Sequence, residues 1–291
     1  MVGGAASLVA SACSGSEEDA ASESTVAPFD PALQQLGVEF PDGFRAPSIF
    51  VAGDMIRAPF SPVASDGFPV QFGEPDTIGM TVTLDRVEVF SGDVPGRRAG
   101  VSSPFYPLQF VPEVPGTYEV QSDWSDTPRQ ILVNERAQVS IPLVGDPLPE
   151  FDTPTFEDGR GVDPICTRLP EPCPFHDQTL TESLATGNTT ALLLATPQFC
   201  QTTICGPVVE LMVEAAPDYP TMSVVHGEIW ATPFEEPQAP APAAPLAGII
   251  NAYQMHFEPS LYLADEQGVI VEALHFAFDR DELRTALEAH S

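Results

Sequence analysis

Two cysteines, Cys200 and Cys205, stand five positions apart in the segment Thr196-Pro197-Gln198-Phe199-Cys200-Gln201-Thr202-Thr203-Ile204-Cys205-Gly206-Pro207. The apolar run at residues 191–195 precedes them and has the length and character of a buried strand. After them Val208, Leu211, Met212 and Ala215 recur at helical spacing, and Pro207 suits a first helical turn. The pair is therefore expected between a strand and a helix N-terminus. Free N–H groups and the helix dipole favour a thiolate there, the form that exchanges disulfides and binds soft metals. A plain structural disulfide is the alternative reading of the same pair.

A second pair lies in Pro164-Ile165-Cys166-Thr167-Arg168-Leu169-Pro170-Glu171-Pro172-Cys173-Pro174. Six residues separate Cys166 from Cys173, and prolines crowd the segment. A metal site would want tighter spacing and a second ligand pair; His176 offers one ligand. A disulfide stapling the loop is the expected role. His226, on a candidate strand, and His275 and His290 carry no functional assignment.

These cysteines need a scaffold, and the composition allows one. The chain has 291 residues, 43% of them apolar, enough for two cores. There are 42 acidic residues against 11 basic ones, all arginine, for a net charge of −31. A nucleic-acid or anionic-membrane surface needs a basic patch, and this chain offers none. Thirty-two prolines favour loops and edge strands over long helices.

Between residues 46 and 147, short apolar-alternating runs are separated by turn signals. Candidate strands cover residues 81–90, 106–111, 117–121, 130–133 and 138–141, with Pro107 pointing to an edge. This spacing suggests a β-sandwich, and Pro115-Gly116-Thr117-Tyr118 resembles the late strand of immunoglobulin-like domains. The part is expected to act as a spacer or protein-contact module. Residues 148–165, rich in Pro, Asp and Glu, read as a linker.

Further on, a short amphipathic turn runs from Thr179 to Leu184. Pro217 and Pro220 stop the helix that follows the cysteines, and residues 222–230 read as a strand. An Ala-Pro run follows at 237–245, then a helix through Ile249, Ile250 and Tyr253. Phe257-Glu258-Pro259-Ser260-Leu261 opens another strand, and Glu266-Gln267-Gly268 turns into a hairpin partner. Asp279 and Glu282 have capping-box spacing at the start of a last helix with Leu283, Ala286 and Leu287 on its apolar face.

A strand, a cysteine motif, a helix and a later strand entered through a proline resemble the order of thioredoxin-like proteins. The resemblance covers about the last 125 residues. It implies that Pro259 is the cis-proline beside the active cysteines. The usual motif is Cys-x-x-Cys; here four residues intervene. Laying Cys205-Gly206-Pro207 on Cys-Gly-Pro-Cys puts the second cysteine at Val208, so the partner of Cys205 is Cys200. Cys205, nearer the helix, is then the expected nucleophile and Cys200 the resolving residue, with a reversed assignment open. Two relatives within this superfamily imply other chemistry. Some peroxiredoxins also space two cysteines by four residues after a Thr-Pro, but their Thr is one position nearer than Thr196, and no Arg lies between Arg168 and Arg280 here. Sco-type copper proteins add a His near a late strand, about one position from where His256 lies, and three residues intervene between their cysteines. Copper is the cofactor only in that alternative; none is otherwise expected.

The fifth cysteine, Cys13, follows Leu8-Val9-Ala10-Ser11-Ala12, which resembles a bacterial lipoprotein cleavage box. That resemblance implies lipidation at Cys13, an extracytoplasmic address and membrane contact only through the anchor. The acidic, polar stretch from Ser14 to Ser24 would be its tether. The expected organisation is signal remnant and tether at 1–40, an all-β immunoglobulin-like sandwich at 41–147, a linker at 148–165, and an α/β thioredoxin-like domain at 166–291. The expected activity is thiol–disulfide exchange with protein thiols or disulfides, or with a redox partner protein, at Cys200 and Cys205. The alternatives are the copper chaperone, the thiol peroxidase, and a surface binding module with structural disulfides.

Overall fold

A computed structural model describes residues 32–36, 47–63, 70, 75–200, 204–233 and 245–291. Cys13 and the expected tether lie outside these residues, as does most of the Ala-Pro run. The described chain is mostly β, with three sheets and four short α-helices.

Up to residue 134 the described segments form strands: β1 (Ala32–Gln35), β2 (Phe50–Val51), β3 (Ile56–Val63), β4 (Thr77–Leu84), β5 (Val87–Pro95), β6 (Tyr106–Phe110), β7 (Gly116–Ser122) and β8 (Arg129–Asn134). One sheet has the order β1-β3-β6 and another β2-β8-β7-β4-β5. Alternation explains the second sheet: Ile78, Met80, Val82, Tyr118, Val120, Ile131 and Val133 are buried, and most of the residues between them are not. The Tyr118 hydroxyl donates to the carbonyl of Val114 at 2.7 Å, fixing the turn into β7. Pro107 sits on β6 at the edge of its sheet, opposite Pro59, where a missing N–H is tolerated.

Two expected strands differ. Residues 81–90 are not one strand but the close of β4 and the start of β5, joined at Asp85 and Arg86, with φ of 49° and 68°. Two successive left-handed residues make the tight turn that matches strand twist, and neither is the Asn or Gly that usually signals it. Residues 138–141 are not a strand either. Arg136–Gln138 forms a 3-10 turn, and the chain beyond is irregular.

The rest of the chain adds α1 (Leu180–Ala185), β9 (Thr190–Leu194), α2 (Cys205–Ala215), β10 (Ser223–Gly227), α3 (Gly248–Ala252), β11 (Ser260–Ala264), β12 (Ile270–His275) and α4 (Arg280–His290). Its sheet has the order β10-β9-β11-β12. β9 and β10 are parallel and joined through α2; β11 runs antiparallel to both β9 and β12. Every residue of β9 and β11 is buried, which is why each strand reads as an apolar run after its first, polar residue, Thr190 or Ser260. α1 begins with a full capping box between Thr179 and Glu182.

Asp279 caps α4 by accepting from the N–H groups of Asp281 and Glu282. The expected reciprocal bond from Glu282 is replaced. Its carboxylate takes two charge-assisted hydrogen bonds from Arg57 of β3, at 2.8 and 2.9 Å. Arg57 also donates to the carbonyls of His275 and Ala277, at 3.2 and 2.6 Å. The segment expected as a linker begins with a fixed contact: Leu148 N–H bonds Gly268, and Ile270 N–H bonds Asp146. The buried apolar residues of all three sheets form one cluster.

Candidate functional site

The chain leaves β9 at Ala195 and enters α2 at Cys205. Four hydrogen bonds pin the intervening loop. Thr196 N–H donates to Glu258 Oε2 at 3.0 Å, and Thr196 Oγ1 accepts from Ile229 N–H at 3.0 Å. Gln198 binds Thr167 twice, through its backbone N–H at 3.2 Å and its side-chain amide at 2.6 Å. Gln201, Thr202 and Thr203 lie outside the described residues.

Cys200 and Cys205 are joined as a disulfide, with their Cα atoms 5.8 Å apart. Their environments differ. Cys205 is fully buried, whereas Cys200 is partly exposed. The Cys205 N–H, at the start of α2, points to Cys200 Sγ at 3.3 Å. The helix end therefore serves the sulfur of Cys200, not that of the residue inside the helix. This arrangement accords with the reversed assignment that the sequence leaves open. Cys200 is the more accessible sulfur and the one with a donor aimed at it. Helix proximity in the sequence points to Cys205 because the irregular path of the loop is not visible there.

Glu258 carries no expected role from the sequence. It is 5% exposed, and Oε2 lies 3.3 Å from Cys205 Sγ. Burial pushes its carboxyl up to about 8, against the lowering effect of the Thr196 N–H bond. Its Oε1 is buried without a hydrogen-bond partner among the described residues. The signal available in the sequence is its place just before Pro259, which heads β11 after a cis Glu258–Pro259 bond.

His256 is exposed, and the third donor converging on Cys200 and Cys205 is Glu258 instead. Thr196, central to the peroxidase alternative, directs its hydroxyl to Ile229. Arg168 pairs with Glu210 on α2 at 2.7 Å. No cysteine lines the cleft of about 750 Å³ between β3 and β12.

Cys166 and Cys173 differ from expectation as well. Both are buried free thiols, not a disulfide. His176 and His226 lie beside them, and the four donor atoms fall within 4.8 Å of one another. Each sulfur has another partner: Cys173 Sγ lies 3.4 Å from His176 Nε2, and Cys166 Sγ accepts the Cys173 backbone N–H at 3.4 Å. The hydrogen bond with Cys173, and then those with both imidazoles, hold the Cys166 thiol below the usual range against desolvation. The two-residue gap from Cys173 to His176 is a legible ligand spacing. His226, 50 residues on in β10, cannot be paired with it by spacing.

Comparison of the chain with protein-family models, with curated proteins and with solved structures finds no match.

Proposed function

We propose that the protein carries out thiol–disulfide exchange at Cys200 and Cys205, with Cys200 as the attacking sulfur. The observation that carries this reading is the asymmetry of the pair. One sulfur is accessible and faces a helix N–H, and the other is buried against a carboxyl. The order β10-β9-β11-β12, a cysteine at the helix start after β9 and a proline heading β11 support a thioredoxin-like reading of the C-terminal part. The β-rich part before it, with its tyrosine bonded back to the preceding turn, is read as an immunoglobulin-like sandwich that contacts partners.

In the reduced protein, the Cys200 thiolate attacks one sulfur of a partner disulfide. A mixed disulfide forms and the other partner sulfur leaves as a thiolate. Cys205 passes its proton to ionised Glu258 and attacks Cys200 Sγ. That step forms the Cys200–Cys205 bond and releases the second partner thiolate, so the partner gains the two electrons the pair loses. A carboxyl near pH 8 is well matched to a thiol for this transfer. The reverse sequence oxidises a partner dithiol. A dithiol donor returns the pair to its starting state.

The partners are protein thiols and disulfides outside the cytoplasm, in keeping with the lipoprotein-like segment at Cys13. No helix among the described residues is long and apolar enough to cross a membrane. The test is turnover of a disulfide-bonded protein with a dithiol reductant. Cys200→Ser is expected to abolish turnover and mixed-disulfide formation. Cys205→Ser is expected to block turnover but leave Cys200 able to form the mixed disulfide. Unchanged turnover in both variants would overturn the reading.

A further inference from the structure

Cys166, Cys173 and His176 come from the coil before α1, and His226 comes from β10. The sulfurs and imidazoles are buried, with His176, His226 and Cys173 at 0% exposure and Cys166 at 4%. His176 Nδ1 lies 3.3 Å from the Pro154 carbonyl, and His226 Nε2 lies 2.9 Å from that of Ala195. A carbonyl only accepts, so each neutral ring must place its N–H there. The remaining nitrogens, His176 Nε2 and His226 Nδ1, then face each other as lone pairs 3.2 Å apart. Two bare lone pairs do not hold each other at that distance. A proton or a metal ion must lie between them, and the two buried sulfurs converging on the same point fit the metal.

We infer that Cys166, Cys173, His176 and His226 bind one zinc ion. With Zn–S of about 2.3 Å and Zn–N of about 2.0–2.1 Å, a tetrahedral ion sets nitrogens about 3.3 Å apart and sulfur about 3.6 Å from nitrogen. The structure has 3.2 Å between the nitrogens and 3.4 Å from Cys173 Sγ to His176 Nε2. Two thiolates neutralise the ion's charge, as burial requires. Carbonyls orient both rings, and the Cys173 N–H supports the Cys166 sulfur. Four protein donors with no exposed face describe a closed, structural site and not a catalytic one.

The site ties the coil at 154–176 to β10. Thr167, next to Cys166, extends the tie: its N–H bonds Glu228 and it holds Gln198, two residues before Cys200. Zinc would thus fix the loop that carries Cys200. The metal site itself does not depend on exchange chemistry at Cys200 and Cys205.

The test uses the full chain carrying Cys13→Ser, Cys200→Ser and Cys205→Ser, reduced and reconstituted with zinc, so that only Cys166 and Cys173 remain as thiols. One zinc per chain is expected to survive gel filtration. Cobalt(II) in its place is expected to show the intense visible bands of a tetrahedral ion and a thiolate charge-transfer band. His226→Gln in the same background is expected to weaken zinc binding by at least about tenfold. A chain that retains no zinc after reconstitution, or a cobalt spectrum with no thiolate band, overturns the proposal. Should the His226 variant not fold, the cobalt spectrum of its parent still decides whether the thiolates hold the metal.

Discussion

Glu258 Oε2 lies 3.3 Å from Cys205 Sγ, inside the protein, while the same oxygen takes the Thr196 N–H at 3.0 Å. One carboxyl thus joins the loop before Cys200, the buried sulfur of the pair and the head of β11. A disulfide sulfur carries no proton to donate, so in the oxidised protein the neutral carboxylic acid is the favoured form of Glu258.

Burial raises the Glu258 carboxyl from its ordinary 4.5 to about 8 in the folded protein. The folded protein therefore holds a proton that the unfolded chain releases between these values. The contribution of this carboxyl to stability is full below pH 4.5 and is lost as pH rises toward 8, by up to about 1.4 kcal/mol per pH unit. Glu258→Gln keeps an acceptor for Thr196 N–H and removes the charge. Denaturant unfolding of the oxidised proteins at about pH 5 and about pH 9 should show a flatter pH dependence for the variant. Equal slopes would count against a buried neutral carboxyl.

The same carboxyl should shape the kinetics. Resolution of the mixed disulfide should speed up as pH rises toward about 8 and lose that rise in Glu258→Gln. Stopped-flow measurement of partner-thiol release checks this, because the first attack by Cys200 should keep its own profile. A variant slowed equally in both steps would point to a general structural effect.

His275 predicts the opposite slope in acid. Burial, and then the charge of Arg57, push its imidazole down to about 3 from 6.5. Its ring packs on Phe257 and Tyr262, and Nδ1 lies 3.0 Å from Ser260 Oγ. The unfolded chain takes up a proton below pH 6.5 that the folded protein refuses, so stability falls toward pH 3 by up to about 1.4 kcal/mol per unit. His275→Phe should lose less stability than the parent between about pH 6.5 and about pH 4, measured by chemical denaturation.

Arg57→Ala should destabilise the protein by about 2–3 kcal/mol. It leaves the 10%-exposed carboxylate of Glu282 without its partner and deprives two carbonyls of a donor. Urea unfolding followed separately in the β-rich part and in the C-terminal part would show the cost. A change under about 0.5 kcal/mol would mean that Arg57 does not couple β3 to α4.

Much of this architecture is legible in the sequence because local pattern and tertiary role coincide. The apolar runs of β9 and β11, the cap at Asp279 and the edge proline at 107 each carry a physical signature that tertiary packing does not override. The hairpin at Asp85 and Arg86 is hidden because a charged pair occupies a turn normally marked by Asn or Gly. Glu282 has the spacing of a cap partner, but a buried guanidinium from β3 competes better for its carboxylate. At the site, spacing locates Cys200 and Cys205. It does not say which sulfur the loop leaves exposed, nor that Glu258 and His226 come in from distant parts of the chain.

The reduction potential of the Cys200–Cys205 couple, equilibrated against glutathione in the full chain, separates an exchanging pair from an inert one. An exchange-active pair should fall between about −120 and −270 mV, the span of dithiol oxidoreductases. A value below about −300 mV would identify an inert staple and rule out exchange at Cys200 and Cys205.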